Sequence, residues 1–141
     1  MTKARETNLR IMRCLKTILY VCDFESKDTR LVAGFIQLEC SAKVQRCNWN
    51  LARVDPREMQ PYCIIASPFA LLPPGLREKT FMNLRKYFQE TPIVWLADKK
   101  ETGVFVPGDS ENVHVLRIDE QVLLAKKLLN KVKEVMAPPK D

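Results

Sequence analysis

The amino-acid sequence predicts an α/β fold: a single three-layer domain with a five-stranded, mostly parallel sheet between layers of helix. Three observations predict it. Residues 17–22, 63–67 and 92–97 are short runs, apolar almost throughout and rich in β-branched side chains. That is the composition of interior strands in a parallel sheet, which are buried on both faces. Stretches with helical spacing of apolar residues lie between and after these runs, and strands alternating with helices imply right-handed β-α-β crossovers. The chain has 141 residues, the size of one domain, and such a domain buries about 70% of its unfolded surface without staples.

Each element follows from local chemistry. Residues 4–15 are compatible with a short helix carrying Leu9, Met12 and Leu15 near one face. After the strand at 17–22, Asp28 is a candidate cap. The helix that it opens is expected to turn Leu31, Val32, Phe35 and Ile36 towards the sheet. Residues 43–47 alternate polar and apolar, as a strand with one exposed face does. Asp55-Pro56 is a helix-start signal, a cap followed by Pro at the first helical position, and predicts a short helix ending near Pro61. The strand at 63–67 leads into a loop with Pro68, Pro73, Pro74 and Gly75, then a helix over about 76–90 with Phe81, Leu84 and Phe88 inward. Beyond the strand at 92–97, residues 98–111 hold Gly103, Pro107 and Gly108 and read as loop, with Val104-Phe105-Val106 as a short extra strand. Residues 113–118 make the last strand. Asp119 caps a long final helix with a seam of Val122, Ala125, Leu129, Val132 and Met136, flanked by Leu124, Leu128 and Val135 and ended by Pro138-Pro139. The expected organisation is a basic tail or short helix over 1–16, the α/β domain over 17–136 and a C-terminal tail over 137–141. The expected strand order is 2-1-3-4-5.

The formal charge of +6 is uneven. Residues 1–16 contribute +4, from Lys3, Arg5, Arg10, Arg13 and Lys16 against Glu6. A basic tail suits nucleic acid or an acidic partner, although most such tails are solvated leaders. The five cysteines, Cys14, Cys22, Cys40, Cys47 and Cys63, include no C-x-x-C pair and are odd in number. That suits thiols in a reducing, cytoplasmic compartment. Residues 1–16 lack the apolar core of a signal peptide, and no apolar run nears the roughly 20 residues of a membrane span.

The order and spacing of the elements resemble the receiver domain of two-component response regulators across 17–136. The run Ile18-Leu19-Tyr20-Val21-Cys22-Asp23-Phe24-Glu25 resembles the first strand and acidic turn. Residues 63–67 resemble the strand that ends in the phosphoaccepting aspartate, 92–97 the fourth strand, and Val115-Leu116-Arg117 the fifth. The resemblance implies a flavodoxin-like sheet. Receiver chemistry needs a carboxylate nucleophile, two further acids to hold magnesium, and a hydroxyl and a lysine for the phosphoryl oxygens. Here the nucleophile position falls at Ser67, and no Asp or Glu occurs between Glu58 and Glu78. The acidic pair is Cys22 and Asp23, the hydroxyl position is Ala97, and the lysine position is Arg117. The fourth helix is expected to be reduced or missing. The resemblance therefore implies a degenerate pseudo-receiver that is not phosphorylated, a non-enzymatic signalling domain acting through protein–protein contact.

Cys22 at the end of the first strand resembles the phosphate-handling cysteine of IIB phosphotransferase proteins and small tyrosine phosphatases, so a small phosphate-handling enzyme is an alternative. Against it, Asp23-Phe24-Glu25 brings acids and no glycine where backbone N–H groups would wrap phosphate. A nucleic-acid-associated adaptor using the basic tail is a third reading. His114 is the single histidine and defines no triad. Asp23, Glu25 and Asp98 would share one edge of the sheet, as loop acids or a weak cation site; no metal is expected. No glycine-rich dinucleotide motif follows the first strand, and no cofactor is expected. Trp49, in a polar loop, is a candidate partner anchor or a packing residue. Leu123, beside Lys127 on the final helix, marks a candidate interface for a protein partner or a homodimer through 113–136.

Overall fold

The structure, a computed structural model, describes residues 16–22, 27–51, 54–55, 57–67, 74–98, 103–118 and 121–136, without the side chains of 28, 74, 98, 118 and 121–126. Five strands form one sheet: β1 (Lys16–Val21), β2 (Ala42–Cys47), β3 (Cys63–Ala66), β4 (Ile93–Asp98) and β5 (Val113–Ile118). Their order is β2-β1-β3-β4-β5. Every pair is parallel, with Ile18 opposite Val44 and Cys63, and Trp95 opposite Ala66 and Val115. The sheet is thus an all-parallel, flavodoxin-like arrangement rather than a mostly parallel one. Three α-helices complete the described fold: α1 (Lys27–Cys40), α2 (Arg77–Tyr87) and α3 (Gln121–Met136).

Alternation along the strands splits the core in two. Ile18, Tyr20, Ile65, Val94 and Leu96 point into one layer, with Ala33 and Ile36 of α1 and Leu128 and Val132 of α3. Leu19, Val21, Ile64, Ile93 and Trp95 point into the other, with Leu84 of α2 and Phe88 just beyond it. Ile18, Ile36, Ile64, Leu96 and Leu128 are 0% exposed. Burial of each such side chain contributes about 1.5–3 kcal/mol, which is why apolar runs of four to six residues suffice as strands.

Several expectations are corrected. The outward and inward faces of α1 are exchanged in part: Val32, Ala33 and Ile36 face the sheet, while Leu31 and Phe35 face solvent. Asp28 lies within the first turn of α1 rather than at its cap, since the helix begins at Lys27. No helix forms at Asp55 among the described residues. Asp55 instead closes a single turn, its carbonyl accepting from the N–H groups of Glu58 and Met59 and its Oδ1 from the N–H of Arg57. The end of α2 falls at Tyr87, short of 90. Residues 104–106 are not a strand; Phe105 and Val106 pack on the second core layer as loop. The inward seam of α3 runs through Leu128 and Val132, with Leu129 and Met136 only half-buried. Asp119, the tail 1–15 and the C-terminal residues 137–141 lie outside the described residues.

The fourth helix is absent among the described residues between β4 and β5, as expected, and so is the second, between β2 and β3. Loops take their places on the α2 side. Trp49, Leu51, Val54 and Met59 cover one part of that layer, and Phe105 and Val106 another. Phe81, Trp95 and Phe105 form an aromatic trio with ring centroids 5.8–6.2 Å apart. An aromatic ring buries enough area to stand in for part of a helix face. No helix among the described residues is long and apolar enough to cross a membrane.

Candidate functional site

In open parallel sheets the carboxyl ends of the strands form the crevice where ligands bind. The sequence-derived positions gather there. Cys22 follows β1, and its N–H donates to the carbonyl of Cys47 at 2.9 Å. Ser67 follows β3, and its N–H donates to the carbonyl of Val21 at 2.9 Å. Ala97 near the end of β4 is in register with Arg117 of β5. Four of the five positions therefore share one edge; the fifth, Asp23, lies outside the described residues, as does Glu25. The side chain of Asp98 likewise lies outside the described residues, and with it the expected weak cation site of Asp23, Glu25 and Asp98.

The side chains at this edge differ sharply in access. Cys22 is 2% exposed, and its Sγ donates to the carbonyl of Tyr20 at 3.6 Å inside the layer shared by α1 and α3. Ala97 is buried in the opposite layer. Ser67 is half-buried and Arg117 exposed. Among the described side chains at these positions, Ser67 offers a hydroxyl and Arg117 a guanidinium. Among the described residues no group of three His, Cys, Asp or Glu side chains could hold a metal ion.

Burial sets the thiol chemistry. Cys47 and Cys63 are pushed up to about 12, chiefly by burial, with Cys22 adding at Cys47 and Cys40 at Cys63. Burial also raises Cys40, against the nearby Lys133 charge. A thiolate is the reactive form, so these thiols are inert at neutral pH. Burial likewise raises the Tyr20 phenol, with Cys22 adding and Arg46 opposing. His114 is half-buried on β5 opposite Val94.

Of the candidate interface residues, Trp49 is half-buried and packs on the α2-side core. Lys127 is half-buried on α3. The Leu123 side chain lies outside the described residues.

Sequence reasoning missed three features. The first is the outward face of α1, where Leu31, Phe35 and Leu38 are 68%, 56% and 84% exposed. Their i, i+4, i+7 spacing was visible, but a second apolar set, Val32, Ala33 and Ile36, competed for the sheet-facing role. The second is an open cleft of about 520 Å³ at the amino edge of the sheet, lined by Pro61, Tyr62, Tyr87, Phe88, Glu90 and Pro92 among others. The Lys16 ammonium lies 5.0 Å from the Tyr62 ring centre, beside this cleft. The third is Arg85. Its Nη1 donates to the carbonyls of Phe88 and Gln89, and its Nη2 to those of Thr91 and Asn112. That clasp joins the end of α2 to the segments entering β4 and β5. No local pattern signals the clasp, because its acceptors are backbone carbonyls and one of them belongs to Asn112, or the cleft, because its lining comes from separate segments.

Comparison with protein-family models finds none that matches the chain, and comparison with curated proteins finds no match.

Proposed function

We propose that this chain is a non-enzymatic signalling or regulatory domain of receiver-like form, working in the cytoplasm through protein–protein contact and without phosphorylation. The observation that supports this reading is the end of β3, where Ala66 and Ser67 stand in a sheet of order 2-1-3-4-5 with no carboxylate to attack phosphorus. Ala97 supplies no hydroxyl, and Arg117 is a planar fork in place of an ammonium. An odd number of cysteines suits the reducing compartment.

The alternative, phosphate chemistry at Cys22, meets an opposing observation. A nucleophilic thiolate needs an accessible, electropositive setting, and Cys22 is 2% exposed with its Sγ on a backbone carbonyl. The adaptor reading rests on the charge of residues 1–16 alone. Treatment with acetyl phosphate and magnesium, followed by intact-mass spectrometry, tests the leading proposal. The expected spectrum is that of the unmodified chain; a stoichiometric phosphoryl adduct overturns the proposal.

A further inference from the structure

We infer that the cleft at the amino edge of the sheet is the seat of the chain's own segment 1–15, which fills it in cis. The receiver-like reading concerns the opposite, carboxyl edge, so the inference goes beyond that reading and needs nothing from it. The cleft has a volume of about 520 Å³ and is walled chiefly by Met59, Pro61, Tyr62, Tyr87, Phe88 and Pro92. Ligand pockets run to about 300–1,000 Å³, so there is room for a few side chains. Tyr62 and Tyr87 are 56% and 48% exposed, which leaves two aromatic rings uncovered on its walls.

The segment starts where the cleft is. Lys16 opens β1, and its ammonium lies 5.0 Å from the centre of the Tyr62 ring. The N–H of Tyr62 donates to the carbonyl of Thr17 at 2.8 Å. The backbone that precedes Lys16 therefore leaves β1 beside the wall made by Pro61 and Tyr62. In the register of β1 with β3, Ile18 is level with Cys63. Carried back to residue 15, the same register reaches Gln60, itself part of the lining. An extended chain spans at most about 3.3–3.6 Å per residue, so Leu9 reaches no further than about 25 Å from Lys16, and Met12 and Leu15 less.

The chemistry of the segment suits the walls. Beside its basic residues it carries Leu9, Ile11, Met12 and Leu15, large apolar side chains for a mostly aromatic and proline-built surface. Tethering holds such side chains near the cleft at an effective concentration of about millimolar. A contact too weak to hold a separate molecule is therefore filled. The C-terminal residues 137–141 are not placed for this role. They follow Met136, which packs in the layer shared by α1 and α3, whereas Met59 and Phe88 of the cleft belong to the α2-side layer. The segment is thus a built-in competitor, and another ligand enters the cleft only when the segment is drawn away.

Photo-crosslinking of the full chain, with benzoylphenylalanine in place of Met12, tests this. Light and heavy isotopic chains are mixed and the adducts mapped by mass spectrometry. The main product should be an adduct within one chain, on residues 59–62 or 87–92. Tyr62→Asp, at an exposed side chain, should reduce its yield at least fivefold. So should the pair Leu9→Asp and Leu15→Asp, which leaves every described side chain unchanged and so cannot act by damaging the cleft. Adducts spread over the surface or concentrated elsewhere on the chain overturn the inference and leave the cleft to another molecule. A main adduct between light and heavy chains overturns it in favour of a second copy. A cleft adduct that keeps its yield in either variant reports tethering without docking, and overturns it too.

Discussion

The side-chain carbonyl of Gln37 in α1 accepts a hydrogen bond from the backbone N–H of Val44 in β2 at 3.0 Å. On the far side of the sheet the Oδ1 of Asp109 accepts from the N–H of Val115 in β5 at 2.9 Å. β2 and β5 are the two edge strands. An edge strand presents unpaired N–H and C=O groups that can template pairing with another chain, and here each edge has a side chain laid on it.

Removing these guards should matter more for association than for stability. Gln37→Ala and Asp109→Ala each lose one hydrogen bond at an exposed site, about 0.5–1.5 kcal/mol. Urea denaturation measures that loss. The double variant should also aggregate faster than wild type in time-resolved light scattering at equal fraction folded. Equal aggregation rates would show that the edges are protected by something else.

Arg85 should be a stability residue of the first rank although it is only half-buried. Its guanidinium serves four carbonyl oxygens, the shortest contacts being 2.6 Å to Gln89 and 2.7 Å to Thr91. Arg85→Met should cost about 2–4 kcal/mol, the range for charged hydrogen bonds lost together. Arg85→Lys should recover less than half of it, because one ammonium cannot span the fork. Chemical denaturation of both variants is the check; a Lys variant equal to wild type would mean that charge alone matters there.

The aromatic trio should hold the loop that replaces a helix between β4 and β5. Phe105 lies 5.8 Å from Phe81 and 6.2 Å from Trp95. Phe105→Ala should cost about 2–3 kcal/mol, below the range for a fully buried Phe because the ring is half-buried. Limited proteolysis should cut within 103–112 faster in this variant. A loop that stays equally resistant would show that other contacts anchor it.

The buried thiols predict a loss of stability at high pH. The charged form of a thiol is the one that burial disfavours, so the folded chain holds its protons above the pH at which the unfolded chain loses them. For Cys47 and Cys63 the rise is from an ordinary 9.0 to about 12. Their contribution is therefore complete below about pH 9 and declines as pH rises towards 12. Tyr20, also raised, adds to the decline in the same direction from 10.0 upward. Urea midpoints between pH 8 and pH 11 should fall, and Cys63→Ala should fall less steeply than wild type even though it is less stable at pH 8. Parallel curves for the two proteins would remove Cys63 from this account.

Much of the fold was legible in the sequence because strands buried on both faces write themselves as apolar runs. TILYVC, CIIAS and PIVWLA predicted β1, β3 and β4 to within a residue or two, alternation with helices implied a parallel sheet, and five strands of that kind fit the open order 2-1-3-4-5. The absence of acids from Glu58 to Glu78 is likewise a property of the sequence alone, and it removes the phosphoacceptor wherever the strand ends. What only the tertiary structure decided are matters of facing and of distance. Helix α1 carries apolar residues at 31, 32, 33, 35, 36 and 38, and periodicity cannot say which stripe meets the sheet. The rotation is settled by the neighbours: β2 follows one residue after α1, the Gln37 carbonyl reaches Val44, and Ile36 shares a core layer with Ile18 and Tyr20. Asp55-Pro56 carries a valid helix start, but the turn at Asp55 leads into a loop that packs as side chains on the sheet. The Arg85 clasp spans residues 85 to 112 and leaves no local trace, because the acceptors are backbone carbonyls that any sequence supplies.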